Sequence, residues 1–275
     1  MKVLSTREQL PEQRSFILNL EDGPIRPVHL ELLPEDRFGS LLVHFSEEAC
    51  MIVSRVPPGG TGPLPHWHDV DQLFCCVSGE LELRLGAQEV RLAAGAAAVI
   101  PAGTRHSHRN SSPEPEIHLE FLVPGVIPGR PVVHRVENDE PWTEQGRVVC
   151  AADGAAREGA EWIVTAGPAS DARWVCALLS GDGPEPAALP ALHTAQRWYV
   201  LDGGLEVDAP SFRGTAGVGD VVALPAEAGA SVRMAPGCRT HLIGLWPRLD
   251  EASETALLAQ LRRARPRSTR EEAEA

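Results

Sequence analysis

Residues 60–72, GTGPLPHWHDVDQ, decide the fold together with residues 95–110, GAAAVIPAGTRHSHRN. Side chains at positions i and i+2 of a β-strand point to the same face of the sheet. His66 and His68 are therefore expected to face in one direction if this part of the chain is a strand. Two imidazoles at this spacing form a pair that can bind one metal ion.

Two further polar side chains of these segments could reach the same ion. Gln72 begins an apolar stretch and could offer its amide oxygen, while His106 follows a Pro-x-Gly turn further along the chain. Ligands from separate strands converge only where a sheet rolls up. The spacing therefore predicts an all-β fold with the metal ligands His66, His68, Gln72 and His106, where Gln72 either binds the metal or steers the substrate.

Glycine residues mark the predicted turns between the strands. Gly79 separates the apolar run 73–77 from the alternating run 81–85, a pattern typical of a hairpin. Gly95 and Gly103 bound the next predicted hairpin in the same way.

The two segments resemble the two motifs that define the cupin superfamily, including the Gly, Pro and Asn residues around the histidines. The resemblance covers roughly residues 57–110 and implies a jelly-roll (double-stranded β-helix) barrel with a metal site. One departure concerns Gln72, because the family's first motif usually carries Glu at this position. A neutral amide leaves a divalent ion with its full positive charge and with more Lewis acidity. By strand alternation, Asp71 is expected to face away from the ion if Gln72 faces it.

The second half of the chain repeats the turn pattern of the first half. The spacing Gln-x6-Gly recurs from Gln196, and the spacing Gly-x5-Pro recurs from Gly219. The positions that match the three histidines hold no metal-binding side chain: Pro190, Leu192 and Ala230. The repeat predicts a bicupin, that is, two cupin barrels in one chain, whose second barrel binds no metal.

A division of the chain follows from this repeat. The predicted segments are a metal-binding barrel, a metal-free barrel, and a short helix with a disordered tail, over residues 1–135, 136–249 and 250–275. Asp250 is the expected N-cap of a helix over residues 251–263. Residues from about 26 to 56, among them the run 28–32, are expected to form strands that complete the first barrel.

Polar side chains within apolar strands provide the candidates for the chemistry of the site. His118 and Glu120 alternate with apolar residues in the run 116–122, so that both either reach into the barrel or face solvent. If they face inward, they are the first candidates for taking a proton from a substrate. His108 shares strand parity with His106 and is expected either to line the cavity or to be a core histidine.

Composition indicates an enzyme-sized protein whose partners are small molecules. The chain has 275 residues, of which 43% are hydrophobic, and a formal net charge of -13. Nucleic acid and anionic membranes would be repelled. Neither a signal-peptide core nor an apolar span of about 20 residues is found, which favours a cytoplasmic protein. The six cysteines lack Cys-x-x-Cys spacing, so buried thiols are expected rather than disulfides or zinc clusters. The sequence does not decide whether the protein forms a homodimer.

The resemblance implies the fold more firmly than the reaction, since cupins include several enzyme classes and non-catalytic binders. The leading hypothesis is a non-haem dioxygenase that uses one divalent metal, iron first, on an enol, phenol or oxo acid. The second is a redox-free Lewis-acid cyclase or isomerase of the polyketide-cyclase cupin type, with zinc, nickel or manganese. The third is a non-enzymatic module that binds a small molecule.

Overall fold

A computed structural model of the chain divides into two compact units. The structure describes residues 15–17, 24–28, 30–125, 133–136, 141–143, 147–149, 159–165, 173–181, 194–210, 212–226, 228–237 and 239–263. The first unit comprises Met1–Gly23, Val28–Cys150 and Ala166–Ala172, and the second comprises Pro24–Pro27, Ala151–Thr165 and Arg173–Ala275. Because many residues around position 136 lie outside the described part, the predicted boundary itself stays a prediction.

Strands make up most of the described chain, and they are numbered in chain order. The first thirteen are β1 Ser15–Ile17, β2 Ile25–Pro27, β3 Gly39–Phe45, β4 Cys50–Val56, β5 His66–Trp67, β6 Asp71–Ser78, β7 Glu80–Leu85, β8 Gln88–Ala93, β9 Ala97–Ile100, β10 His106–Arg109, β11 Glu116–Val123, β12 His134–Arg135 and β13 Arg147–Val149. The others are β14 Gly159–Thr165, β15 Val175–Gly181, β16 Gln196–Asp202, β17 Leu205–Ala209, β18 Phe212–Ala216, β19 Asp220–Leu224, β20 Ser231–Met234 and β21 Thr240–Trp246, followed by helix α1 Glu251–Arg263. The predicted all-β fold with a short C-terminal helix is confirmed.

The first unit consists of a seven-stranded sheet, in the order β1-β3-β4-β11-β6-β9-β13, and a five-stranded sheet, in the order β12-β5-β10-β7-β8. One apolar cluster takes side chains from both sheets, for example Phe74 from the first and Leu83 from the second. The strand β7 alternates buried leucines with more exposed charged residues, as a strand with one face in a core must. The two sheets therefore enclose a common interior.

The predicted turns lie where the glycines are. Gly79, Gly95 and Gly103 all have positive φ angles, of 76°, 84° and 79°. This region is costly for residues with a Cβ atom. The hairpin predicted around Gly79 is confirmed, since β6 ends at Ser78 and β7 begins at Glu80.

The second unit contains a six-stranded sheet, in the order β14-β15-β21-β16-β19-β2, and a three-stranded sheet, in the order β18-β17-β20. The expectation that residues 26–56 complete the first barrel is confirmed for β3 and β4, which lie in the seven-stranded sheet, but it is wrong for residues 26–32. Ile25–Pro27 pairs with β19 of the second unit, and Leu30–Leu32 is a 3-10 helix rather than part of a strand. Strand propensity predicts that a segment is extended but not which strand it pairs with. The partner of Ile25–Pro27, the edge strand β19, lies about 190 residues further along the chain.

Helix α1 has the predicted bounds and the predicted cap. The Asp250 side chain accepts a hydrogen bond from the Ser253 N–H at 2.6 Å, which satisfies one of the free donors of the first turn. Leu257 and Leu261 face the core of the second unit. The predicted disordered tail lies outside the described residues. No helix of the described residues is long and apolar enough to cross a membrane.

The cysteines of the described residues are buried free thiols: Cys50, Cys75, Cys76 and Cys176. This confirms the expectation for these four positions. Cys150 and Cys238 lie outside the described part of the chain.

The hairpin at Gly79 gives a first prediction. Replacing Gly79 by Ala adds a Cβ 2.7 Å from the Pro115 carbonyl oxygen, in addition to the strain of a positive φ. Gly59→Ala is the matched control, because Gly59 has a φ of 68° but nothing within 4 Å of the added atom. We expect Gly79→Ala to lose clearly more than the roughly 1–2 kcal/mol expected for the control. Chemical unfolding measures both, and equal losses would contradict the structure.

Candidate metal centre

Three histidines of the first unit converge in its interior. His66 lies on β5 and pairs directly with His106 of β10, while His68 follows β5. One ring nitrogen from each of the three lies within 4.8 Å of the other two, and all three side chains are buried. The pairing of β5 with β10 therefore brings the three histidine side chains together, as the sequence predicts.

Backbone carbonyl groups fix the orientation of two of these rings. The Nδ1–H of His66 donates to the Leu64 carbonyl oxygen at 2.8 Å, and that of His106 donates to the Thr104 carbonyl oxygen at 3.0 Å. The lone pair of each ring is thereby left on Nε2. The Nε2 of His106 is buried and has no hydrogen-bond partner among the described residues.

Two of the three histidines are held in the neutral form that a metal requires. Burial lowers the pKa of His66. Burial, followed by the neighbouring His66 and His68, places the pKa of His106 well below its usual range. Both are therefore uncharged at neutral pH.

Gln72 is buried on β6 and is oriented by a carboxylate. Its Nε2 donates to Glu120 Oε2 at 2.8 Å, and its Oε1 is buried without a hydrogen-bond partner among the described residues. The ring centroid of Phe74 lies 6.1 Å from that of His106 and 4.8 Å from that of His118, so one side chain packs against both rings. Asp71 faces away, as strand alternation predicts, and its Oδ1 accepts from the Ala102 N–H at 3.1 Å.

His118 and Glu120 face the interior and belong to a buried ionic chain. His118 Nδ1 lies 2.8 Å from Glu116 Oε2, and its Nε2 lies 3.2 Å from Glu120 Oε1. Burial alone would lower the pKa of His118, but the two carboxylates outweigh it and raise the pKa to about 10. Burial would raise the pKa of Glu120, yet His118, His108 and Ser54 hold it well below the usual range. His118 is thus an imidazolium between two carboxylates.

Ser54 and Glu116 complete this chain, and sequence reasoning did not single them out. Ser54 Oγ donates to Glu120 Oε1 at 2.6 Å, because β4 places Ser54 opposite His118 on the neighbouring strand β11. Glu116 could have been predicted, because it alternates with apolar residues in the same way as His118 and Glu120 and so lies on the same face of the strand. The position of Ser54 depends on strand pairing, which spacing along the chain does not reveal.

His108 is a further buried imidazole, which lies two residues beyond His106 on β10. Its ring lies among aromatic rings, with centroids 5.3 Å from Phe74, 5.6 Å from Phe38 and 5.0 Å from His118. Burial first, and then the charge of His118, lower its pKa well below the usual range. Neither ring nitrogen has a hydrogen-bond partner among the described residues.

The second unit lacks this arrangement in its described residues. Gln196 corresponds to Gln72, but its Oε1 accepts a hydrogen bond from the Trp198 indole Nε1–H at 3.2 Å. In β21, the registers place Leu242 and Gly244 where β11 has His118 and Glu120. A Cβ at Gly244 would lie 2.6 Å from the Trp198 ring, so this space is filled by indole.

Two of the aligned positions in the second unit cannot be compared, since Pro190 and Leu192 lie outside the described residues. Ala230, the counterpart of His106, is partly buried and packs against the apolar core. No metal-binding cluster of His, Cys, Asp and Glu other than the three histidines occurs in the part of the chain that the structure describes.

A groove of about 610 Å³ lies on the exposed side of the five-stranded sheet of the first unit. Its lining includes Leu64, Arg84 and Arg109, and the Arg84 guanidinium stacks over the Trp142 ring at 4.0 Å. On the same side of β5, Trp67 stacks on His134 with ring centroids 4.0 Å apart. Trp67 therefore packs outside and does not take part in the histidine cluster.

The ionic chain predicts a pH dependence for the metal-free protein. The pKa of His118 rises from 6.5 to about 10 on folding, so its stabilisation is complete below about pH 6.5 and is lost as the pH rises toward 10. We expect the melting temperature of the wild type to exceed that of His118→Gln most at about pH 6, with the gap narrowing toward pH 10. A gap that stays constant over this range would contradict the charged state of His118.

Comparisons with known proteins agree with this fold. The family model of the cupin domain matches residues 52–123, which include the three histidines, Gln72 and Glu120. No curated protein matches the chain in sequence.

Similar solved structures include three proteins of different kinds. Ylba from E. coli has a TM-score of 0.60 and 13% identity, over 89% of this chain and 98% of its own. The 7S globulin of Momordica charantia has a TM-score of 0.55 and 14% identity, over 82% and 83%. Salicylate 1,2-dioxygenase from Pseudoaminobacter salicylatoxidans has a TM-score of 0.51 and 13% identity, over 78% and 71%. At these identities the likeness shows the fold alone, and with the domain match it identifies the chain as a cupin-fold protein that carries a cupin domain over residues 52–123.

Proposed function

We propose that the first unit binds one divalent transition metal through His66, His68, His106 and the amide oxygen of Gln72, and that the protein is a metal-dependent enzyme. The observation that carries this proposal is a pair of buried acceptor atoms, His106 Nε2 and Gln72 Oε1, that have no hydrogen-bond partner among the described residues. Each such atom costs about 1–3 kcal/mol if left unsatisfied. A metal ion satisfies both, because its ligands are lone pairs.

The donor set fits several metals, and the choice of iron follows from the proposed reaction. Neutral imidazole and amide ligands suit iron, nickel, zinc and manganese. When bound, such an ion supplies Lewis acidity, and iron also supplies redox chemistry with dioxygen. We propose a non-haem dioxygenase with iron, acting on a small enol, phenol or oxo acid.

His108 is our candidate for a substrate contact through Nδ1, because its Nε2 packs against Gly62, where an added Cβ would overlap it. It is neutral, its two nitrogens provide one donor and one acceptor, and both are free of partners among the described residues. Phe38 and Phe74 flank its ring and favour a flat, partly apolar molecule. A substrate hydroxyl or carbonyl group bonded to His108 would be held against these rings.

The ionic chain bears on the choice between the two enzyme hypotheses. A cyclase or isomerase of this type needs a protein base to take a substrate proton. Glu120 already accepts three hydrogen bonds and its pKa is held low, while His118 is protonated at neutral pH. Neither is a strong base, so their role in proton transfer stays a prediction.

Salicylate 1,2-dioxygenase, solved as adducts with gentisate, provides probes for this proposal. Its likeness to this chain is one of fold, so its substrates serve here as chemical examples of phenols that carry a carboxylate. We also expect small-molecule substrates rather than nucleic acid, in agreement with the net charge of -13.

Metal content tests the site itself. We expect one divalent ion per chain in protein purified with metal, and none in the variant with His66→Ala and His68→Ala, because two ligands are removed. His241→Ala, in the second unit, is the matched control and should keep one ion. Elemental analysis gives the ratio, and a value near two per chain would contradict a metal-free second unit.

Oxygen dependence tests the reaction. Iron-loaded protein is incubated with gentisate, salicylate or an enolisable 2-oxo acid in an oxygen electrode. We expect consumption of dioxygen in step with one of these probes and no conversion under nitrogen. The double histidine variant should be inactive. Conversion under nitrogen by zinc-loaded protein would instead support the Lewis-acid cyclase or isomerase.

A further inference from the structure

Gln72 stands where the cupin motif usually has Glu, and a buried carboxylate lies next to it. The carboxyl group of Glu120 is 2.8 Å from the Gln72 amide nitrogen, and both side chains are buried, with exposures of 9% and 1%. The two residues come from adjacent strands, β11 and β6, whose register also places Leu122 opposite Gln72. The contact is therefore fixed by strand pairing as well as by the side chains.

The hydrogen bonds of Glu120 determine which way the Gln72 amide faces. Oε1 accepts from Ser54 Oγ at 2.6 Å and from His118 Nε2 at 3.2 Å, and Oε2 accepts from Gln72 Nε2. The group of the amide that meets Glu120 is therefore its NH2 group and not its oxygen. Gln72 Oε1 is thereby turned away from Glu120, as a buried acceptor without a partner among the described residues.

We propose that Glu120 is a positioning residue that holds the Gln72 oxygen toward the metal, and that the pair does the work of the charged ligand found in related motifs. The inference rests on the proposed metal function. In this chain the negative charge is that of Glu120, which is hydrogen-bonded to the amide nitrogen of Gln72 and is not itself the proposed ligand. Donation of an amide N–H to a carboxylate draws electron density toward the amide oxygen, which makes it a better ligand.

The pair also constrains what can stand at position 72. Gln72→Glu would place two buried carboxyl groups within about 3 Å of each other, and neither ionised group has a proton to donate. Exchanging the two residues removes this conflict. In the double variant Gln72→Glu with Glu120→Gln, the new amide can donate its NH2 to the new carboxylate. Its oxygen can still accept from Ser54 and His118, as Glu120 Oε1 does now.

The experiment compares four full-length proteins: wild type, Gln72→Glu, Glu120→Gln and the double variant. The first measurement is the melting temperature of the metal-stripped proteins. We expect Gln72→Glu to lower it most, and the double variant to lie well above the value expected from adding the two single effects. Additive losses would overturn the proposed pairing.

The second measurement is Zn²⁺ affinity by competition with a chelator, since Zn²⁺ is a redox-inert probe. We expect Glu120→Gln to weaken Zn²⁺ binding about tenfold or more, as is usual when the partner of a metal ligand is lost. Glu116→Gln is the matched control, because Glu116 contacts His118 at the other end of the ionic chain. It should affect stability but leave Zn²⁺ affinity within about twofold of wild type.

The two measurements separate the inference from the proposed function. Unchanged Zn²⁺ affinity in Glu120→Gln, or an equal loss in Glu116→Gln, would overturn the positioning role while leaving the metal site intact. Failure of the wild type to bind Zn²⁺ would refute the metal function and the metal-directed part of this inference. The melting temperatures would then still decide whether the two side chains are paired.

Discussion

The site depends on the antiparallel pairing of β10 with β5, which places His106 directly opposite His66. Directly paired residues of antiparallel strands bring their Cβ atoms within about 5.5 Å of each other on one face. Two imidazoles from positions 40 residues apart thus meet, and His68 joins them from the same side of the chain. A shift of one residue in this register would turn His106 outward and bring its neighbour Ser107 inward. The register of the sheet therefore determines whether the histidine side chains can bind one metal ion together.

A second constraint is the charge enclosed by the barrel. Glu116, His118 and Glu120 together carry one net negative charge when the histidine is protonated. A buried net charge without compensation is costly. The Phe74 ring packs against both His106 of the histidine cluster and His118 of this ionic chain, so a cation bound by the histidines would lie near enough to offset part of that charge. The electrostatics of the interior thus favour a cation at the same place as the ligand geometry does.

The parts of this site that sequence could predict are those encoded by local spacing. The pair His66 and His68 follows from strand periodicity, and the turn at Gly79 follows from the need for a positive φ. The orientation of Gln72 and the contact of Ser54 with Glu120 could not be predicted, because they depend on which strands pair and in which register. The same limit explains the N-terminal strand. Ile25–Pro27 pairs with β19, and no local pattern indicates so distant a partner.

The comparison of the two units separates what the fold requires from what the chemistry requires. Both units keep glycine with a positive φ at the matching turns, Gly79 and Gly203, because the hairpin backbone demands it. The interior side chains, in contrast, differ between the two units. In the second unit the amide of Gln196 binds the Trp198 indole, and the position that matches Glu120 is Gly244. The indole rings of Trp198 and Trp246 pack against each other beside that glycine, with ring centroids 5.0 Å apart. Apolar packing of this kind stabilises a barrel without buried charge, so the retention of a costly ionic chain in the first unit is better explained by binding than by stability.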